Sequence, residues 1–577
     1  MELTDFFTSN LSPGQKQYEA LRAVAFNESA LQEIAQRFGY TTQSLRTLVN
    51  RLLKGEHQLF PTVKPGPKKR QVSPEIINLI ISLRRREKLS STEICGELNG
   101  MDISLSTRTV ERILSDAGFP RLHRRTFTER GITKKGAGIP QHSTNLAIAQ
   151  LKPFRAECQV AGVFFFIPYI VESGILELVK KCSLPESSEI GSVQAALSFL
   201  ALKLIGNERL SHIDNYNHDP GFGLFAGLNV LPKPTYICTY SCRTEAEMLL
   251  NFQKQLIENF LQRYPDNYAS KTINLDFHSI PHFGEESQME KVWTGTRNKA
   301  MKGANTFFAQ DSQSDAIIYT RTDIKRSESS EEINKFVDYW LSLKGAVDET
   351  LVLDSKLTRY DILYDLDRKG IKFITLRRRS ASLTEQTSGI PESDWERIKL
   401  NIPKRKWKKP LVHYSEVSLQ KGENPLRQLI IKDHGRAEPT FLVSNNWDLK
   451  LTEFMEIYAR RWRIENKLAE LVKFFNLNTL SSPVMARIHF DLLWTVIADT
   501  LYHLFANDLR YYEKSRVQSI FRRFVDMPGL LVFDGKSVDL RIRKRAFTPI
   551  LKGLKKLKGN IKIPWLDDLP LSITWTA

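Results

Sequence analysis

The sequence predicts a mixed α/β catalytic core with a β-rich insertion, preceded by all-α helix-turn-helix modules. Three observations lead there. Short amphipathic helices separated by glycine turns fill the first 120 or so residues. Apolar strand patterns alternating with helices begin near residue 271. Strand-like segments then follow one another from about 380 to 447 with no helix between them.

At 577 residues and 41% hydrophobic content, the chain has material for about three or four domains. A charged fraction of 26% fits a folded chain rather than a disordered one. The formal net charge of +18 favours a polyanionic partner, most simply nucleic acid. Five cysteines, an odd and sparse set, fit a reducing compartment. The start, "MELTDFFTSNLS", has neither a basic nor an apolar leader region, so no secretory signal is expected. The most apolar stretch, "CQVAGVFFFIPYIV" (158–171), is too short to span a bilayer and is interrupted by Pro168. It reads as a buried strand or core segment, and no membrane partner is expected.

Residues 1–58 form the first helix-turn-helix candidate. Ser12 and Pro13 suit a helix start. "SALQEIAQRFG" puts Leu31, Ile34, Ala35 and Phe38 on one face, and Gly39 allows a left-handed turn. "TTQSLRTLVNRLLKG" follows, with Leu45, Leu48, Val49 and Leu52 at helical spacing. Its outer face offers Gln43, Arg46, Asn50 and Arg51 to bases or phosphates, although an ordinary three-helix bundle would show the same periodicity. "FPTVKPGPKKR" (60–70) is a stiff basic linker. Residues 71–135 repeat the theme. In "STRTVERILSDAG", Thr107, Arg108, Thr109 and Arg112 face out while Val110, Ile113 and Leu114 face in, and "PRLHRR" adds charge after it.

Residues 140–265 read as a mainly helical connecting region, with "SVQAALSFLALKLIG" buried and "TEAEMLLNFQKQLIENFLQRY" amphipathic. The catalytic domain spans 266–505. "KTINLDFHSI" is a strand, and "NTFFAQDSQSDAIIYTRTDI" is two strands joined at 311–315. The helix "SEEINKFVDYWLSLKG", the buried strand "ETLVLDSKLT", the helix "RYDILYDLDRKG" and the strand "IKFITLRR" complete a mixed sheet. The insertion, 380–447, interrupts that sheet before one helix, "YARRWRIENKLAELVKFF" (458–475). Residues 506–577 are a basic C-terminal region. Within it, "LRIRKRAFTPILKGLKKLKGNIK" (540–562) is either a solvated helix face or a phosphate- or dimer-contacting segment.

Three acids are candidates for chemistry. Asp276 follows "INL" and Asp354 follows "LVL", so each stands where an apolar strand emerges at a sheet edge. If the strands are neighbours, the carboxylates converge, and convergence calls for a proton or a cation. Hard oxygen donors favour Mg²⁺ or Mn²⁺. On a wheel of about 100° per residue, Tyr458, Arg461, Trp462, Glu465, Ala469 and Val472 share a face of the last helix. That face mixes Glu and Arg with aromatics, which neither a solvated nor a core face usually does. Structural roles compete: Asp354 could cap the following helix, Glu465 could pair with Arg461 or Lys467, and Asp361, Asp365 and Asp367 are rival acids.

The order Asp, Asp, β-rich stretch, Tyr-x2-Arg-x3-Glu resembles the DDE-class transposases of bacterial insertion sequences, in the group with a Tyr-Arg-Glu-Lys signature. The matching residues are Asp276 in "NLDFHSI", Asp354 in "LVLDSKLTRYDIL", and Tyr458, Arg461 and Glu465 in "YARRWRIE". The likeness covers roughly 270–505. The signature lysine falls at Val472, with Lys473 one position later as its candidate replacement. The resemblance implies a ribonuclease H-like catalytic fold, with Asp276, Asp354 and Glu465 holding two Mg²⁺ ions, for which Mn²⁺ substitutes. It implies cleavage of transposon ends and strand transfer into target DNA. Tyr458 and Arg461 would position end phosphates, and Trp462 or Trp407 would stack on a displaced base. The implied partners are double-stranded terminal inverted repeats, target DNA and a second copy of the chain on paired ends, in the bacterial cytoplasm beside the nucleoid. Rival readings are a nuclease of the same fold that cuts without joining, and a non-catalytic DNA-binding regulator.

Overall fold

The computed structural model describes residues 13–57, 59, 72–87, 89–119, 142–283, 289–294, 298–322, 324–354, 359–402, 409–479 and 485–577. Ser12, the 60–70 linker, "PRLHRR" and Trp407 lie outside them. The chain divides into two compact units, 1–138 and 139–577.

In the first unit, helices α1 (Pro13–Ala25), α2 (Leu31–Arg37) and α3 (Thr42–Leu53) enclose Ala20, Ala23, Ile34, Ala35 and Leu45. Gly39, at φ +61°, makes the turn between α2 and α3. The Thr41 hydroxyl caps α3 by accepting from the Ser44 N–H at 3.1 Å. Helices α4 (Pro74–Glu87), α5 (Ser91–Gly100) and α6 (Thr107–Asp116) enclose a separate core of Ile80, Ile94, Leu98, Val110, Ile113 and Leu114. Ser90 and Glu93 form a reciprocal capping box at α5, and Ser106 caps α6.

The second unit holds two sheets. The larger is built from β2 (Thr272–Pro281), β3 (Lys291–Thr294), β4 (Lys299–Asp311), β5 (Ile317–Arg321), β6 (Thr350–Leu353), β7 (Phe373–Arg377), β8 (Glu396–Arg397), β9 (Leu411–Val417), β10 (Leu426–Lys432) and β11 (Thr440–Ser444). Its order is β3-β4-β2-β6-β7-β11-β10-β9-β8, with β5 also on β4. The β2–β6 and β6–β7 pairs are parallel. All four residues of β6 are buried, as its uninterrupted apolar pattern requires.

The 380–447 stretch does not interrupt this sheet. β11 pairs antiparallel with β7, from Phe441↔Arg377 to Ser444↔Ile374, and β10, β9 and β8 continue outward. An edge strand left bare at β7 would expose a ladder of unpaired backbone groups, and β11 covers it.

The smaller sheet corrects two further expectations. The connecting region contributes a strand, β1 (Phe154–Cys158), which pairs with β12 (Gly529–Phe533). The order continues through β13 (Val538–Arg543), β15 (Leu569–Thr576) and β14 (Ile561–Ile563). So 540–562 is not one helix face. Val538, Leu540 and Ile542 are buried at period two while Arg541 and Arg543 are exposed, and only a six-residue helix, Thr548–Gly553, follows. The 158–171 stretch is a core segment rather than a strand: after Cys158 it becomes a 3₁₀ turn (Ala161–Phe166) and a short helix (Ile167–Ser173), both buried in the main core. Among the described residues, no single helix is long and apolar enough to cross a membrane. The pair Ala161–Ser173 and Ile175–Lys181 would pass such a test jointly but is bent by 62°.

Candidate active site

The first two carboxylates are brought together by strand register. β2 and β6 pair in parallel with Leu275 opposite Leu353, so the next residues, Asp276 and Asp354, are side by side. Adjacent strands lie about 4.8 Å apart, and opposed residues share a face. Asp276 is not at a strand end, as the local pattern suggests. β2 runs on to Pro281, pairing with β4 throughout, whereas β6 stops at Leu353. Among the described residues, the edge of β2 beyond Asp276 therefore has no strand neighbour on that side. Asp354 does not cap the next helix, whose N-cap is Arg359. The rival acids have their own partners: Asp361 pairs with Arg359, Asp365 with Arg368, and Asp367 accepts from Asn445.

The third acid arrives on a helix that is broken where the sequence gives no sign of it. α11 (Leu451–Arg460) ends and α12 (Trp462–Phe474) begins on either side of Arg461. Arg461 itself keeps right-handed helical dihedrals (φ −54°, ψ −31°), so the interruption is local and the wheel still relates Tyr458 to Glu465. Arg461 joins them directly. Its Nη1 donates to Asp276 Oδ2 at 3.1 Å and its Nη2 to Glu465 Oε1 at 2.6 Å. The Arg461 guanidinium lies 5.9 Å from the Tyr458 ring centroid, within cation–π range. Arg461 and Asp276 side chains are 14% and 12% exposed, against 56% for Glu465. The reacting corner is thus dry on the sheet side and open on the helix side.

Charges are crowded there. Burial pushes the Asp276 carboxyl up to about 6; Arg461 opposes the rise, while Asp354 and Glu465 add to it. The Tyr458 phenol is raised by burial, with Arg461 opposing and Asp354 contributing. For Arg461, burial disfavours the cation, but Tyr458, Asp276, Asp354 and Glu465 outweigh it and its pKa rises. Three carboxylates are the right donor chemistry for a hard divalent cation. Yet no group of three His, Cys, Asp or Glu among the described residues is close enough to hold one ion. Arg461 is the cation that neutralises Asp276 and Glu465 in this arrangement, so the donors fit a metal in kind while their present spacing is set by a guanidinium.

The remaining sequence-derived residues divide. Trp462 is 51% exposed beside the site. Lys473 is exposed on the last turn of α12, about 12 Å along the axis from Glu465, which takes it away from the carboxylates. Val472 is half-buried and packs on the main core, as suits an apolar side chain there. Gln43 and Arg46 are exposed on α3, and Arg108 and Arg112 on α6. Two residues on from Asp276 in β2, His278 is half-buried, with Nε2 2.7 Å from Asn478 Oδ1.

Two pairs escaped sequence reasoning. Arg463 forms a two-pronged pair with Asp315 at 2.9 Å, and Lys467, 9% exposed, pairs with Asp499 at 2.7 Å. Asp499 carried a signal: it is the acid of "TVIADT", an apolar run that would bury a carboxylate only with a partner. Both pairs line a cleft of about 910 Å³ along α12 that includes Trp462 and Asn466 but none of the three site acids.

Comparison with known proteins gives the following. No curated protein matches in sequence. Similar solved structures include the piggyBac transposase synaptic complex with hairpin DNA, at 10% identity and a TM-score of 0.35, covering 64% of this chain and 81% of that one. The Mos1 transposase paired-end complex with left transposon end is another, at 9% identity and a TM-score of 0.14, covering 63% and 78%. Residues 271–501, the span that holds Asp276, Asp354, Tyr458, Arg461 and Glu465, match the family model of the transposase DDE domain.

Proposed function

We propose that this chain is a DNA transposase of the bacterial insertion-sequence type, cutting transposon ends and joining them to target DNA through Asp276, Asp354 and Glu465. One observation carries the reading: two aspartates abreast on neighbouring parallel strands, the first of them tied by Arg461 to a glutamate on the last helix. The family match over 271–501 supports it. The order β5-β4-β2-β6-β7, antiparallel then parallel, supports a ribonuclease H-like core. The three carboxylates would hold two Mg²⁺ ions, or Mn²⁺, which when bound activate the attacking oxygen and stabilise the leaving one.

The chain's own residues supply the rest. Arg461, released from a carboxylate, presents a planar fork to a phosphate, and the half-buried Tyr458 orients it from behind. Trp462 offers an exposed ring to a base. Gln43, Arg46, Arg108 and Arg112 would contact the terminal inverted repeats, and two copies would act on paired ends beside the nucleoid. Lys473 stands one position past the place of the signature's lysine and about 80° round the helix from Glu465.

The test is a strand-transfer assay with the inverted repeats that flank the gene. Cleaved and joined products are expected with Mg²⁺, and Asp354→Asn should abolish both while end binding persists. Cleavage without joining would leave a nuclease. A second reading, a DNA-binding regulator without catalysis, draws on Val472 standing where the signature has lysine; wild-type protein that binds ends but never cuts them would establish it.

A further inference from the structure

The segment 540–562 contains nine Lys and Arg and no acid, so it alone carries half of the chain's net charge of +18. Four of the nine are engaged within the fold. Arg541 pairs with Asp539 at 2.7 Å, Arg545 donates to the Asp526 carbonyl at 2.8 Å, Lys556 pairs with Glu172 at 2.6 Å, and Lys562 with Asp568 at 3.5 Å. The other five, Arg543, Lys544, Lys552, Lys555 and Lys558, are exposed, and their side chains have no ion pair among the described residues.

The fold gathers four of these five, Arg543, Lys544, Lys552 and Lys558, at one end of the smaller sheet. Arg543 ends the outward row of β13 and lies in register with Thr576 of β15, whose carbonyl accepts from the Lys544 N–H at 3.0 Å. One residue back, Trp575 lines a cleft of about 340 Å³ together with Lys552, Lys558 and Ser572. Arg543 and Lys544 thus reach one side of the β15 end, and Lys552 and Lys558 the other. Thr574 and Thr576 stand on the same outward face as Arg541 and Arg543. Unopposed like charges held this close repel one another unless a polyanion sits across them.

We propose that this end of the C-terminal sheet grips the phosphate backbone of duplex DNA without reading its sequence. The proposal rests on DNA being the substrate, as argued above, but concerns a surface apart from the three acids. Cations with hydroxyls between them are the groups that contact phosphates. Base reading needs a helix or a two-stranded ribbon in the major groove; among the described residues the α-helix between β13 and β15 has six residues, and both strands lie inside a five-stranded sheet rather than in a free ribbon. The contact suits DNA of arbitrary sequence, such as a target duplex.

The test uses full-length protein and a random-sequence duplex, with binding measured by anisotropy across a salt series. The variant is Arg543→Gln, Lys544→Gln, Lys552→Gln, Lys555→Gln and Lys558→Gln combined. Each lost phosphate contact reduces the slope of log K against log salt by about 0.9. A slope shallower by about 3 to 5 is expected, with affinity at 0.1 M salt down at least about tenfold, and an unchanged melting temperature. The preference for terminal repeats over random duplex should survive, since the helical unit is intact. If the combined variant fails to fold, the Arg543/Lys544 pair and the three-lysine set are measured separately, each expected to remove part of the slope. Wild-type slope and affinity in the folded variants would overturn the proposal, as would a loss confined to anionic phosphatidylserine vesicles. Wild-type protein that shows the slope but never cuts a transposon end would overturn the transposase reading alone.

Discussion

Replacing Lys467 by Met tests whether α12, the helix that carries Glu465, is held by a buried ion pair. The ammonium lies 2.7 Å from Asp499 and 3.6 Å from Glu470, with Lys467 and Asp499 side chains only 9% and 4% exposed. At an effective dielectric of 20, unit charges at that separation attract by about 6 kcal/mol. Part of this is recovered because Met needs no desolvation, and breaking one side of such a pair costs about 3–5 kcal/mol. A proton sets the ceiling. Asp499, already raised by burial with Lys467 opposing, can be neutralised at pH 7.5 for about 5 kcal/mol, the gap between pH and an ordinary carboxyl at 1.36 kcal/mol per unit. A loss of about 4 kcal/mol, spread over the unfolding entropy of residues 139–577, lowers the melting temperature by about 4 °C. The sign with pH follows. The folded-state pKa of Asp499 is higher still in the variant, so its deficit is greatest at high pH and shrinks as pH falls toward 4. Adding Asp499→Leu should restore most of the loss, because two apolar side chains of similar volume replace the pair. The assay is a scanning-calorimetry double-mutant cycle at pH 5.5 and 7.5. A double variant as unstable as Lys467→Met, or a deficit independent of pH, would refute the reasoning.

Other expectations can be checked in the same preparations. His489 is buried, neither ring nitrogen has a hydrogen-bond partner among the described residues, and its pKa is pushed down to about 4, chiefly by burial and then by Arg321. The unfolded chain takes up a proton near pH 6.5 that the folded one resists, so stability should fall by about 3 kcal/mol between pH 6.5 and 4; His489→Leu should remove that part of the acid sensitivity in urea titrations. Gly162→Ala would set a Cβ 2.3 Å from the Val525 carbonyl oxygen and 2.4 Å from its Cα. A loss of at least about 3 kcal/mol is expected by thermal melting, since backbone must move. Lys473→Ala should leave end cleavage unchanged whereas Arg461→Ala should abolish it, and equal losses in a gel cleavage assay would return Lys473 to the site. Trp462→Ala should leave the melting temperature intact, because the ring is half exposed, while weakening cleavage of ends.

The parts of the site legible in the sequence are those written locally. "INL" and "LVL" before Asp276 and Asp354 are buried-strand patterns, and two acids after two buried strands converge once the strands pair. What the local pattern missed depends on distant partners. β11 looks like an insertion strand because nothing near Thr440 names β7 as its neighbour. The local helix interruption at Arg461 has no Pro or Gly to announce it, and the guanidinium's partner, Asp276, lies 185 residues away in the chain. β13 was legible in "VDLRIR", whose alternation is strict, but its charge density drew the reading toward a helix face.

The basic run around Glu465 also changes meaning. Read alone, Arg460, Arg461, Arg463 and Lys467 look like a cradle for DNA. In the fold, each is already paired with an acid: Arg460 with Glu456, Arg461 with Asp276 and Glu465, Arg463 with Asp315, and Lys467 with Asp499. Three of these ties run to different elements, β2, the β4–β5 turn and the long helix Met485–Asp508, so the start of α12 is fixed from several directions. On the proposed reading, Glu465 has to meet two other carboxylates within a fraction of an ångström, which needs that kind of support. The same ties leave little free positive charge on α12, so the helix that presents Glu465 is poorly supplied to hold a polyanion by itself. On the proposed reading, that attraction falls to the cations at the end of the smaller sheet that have no ion pair among the described residues, and to those exposed on α3 and α6.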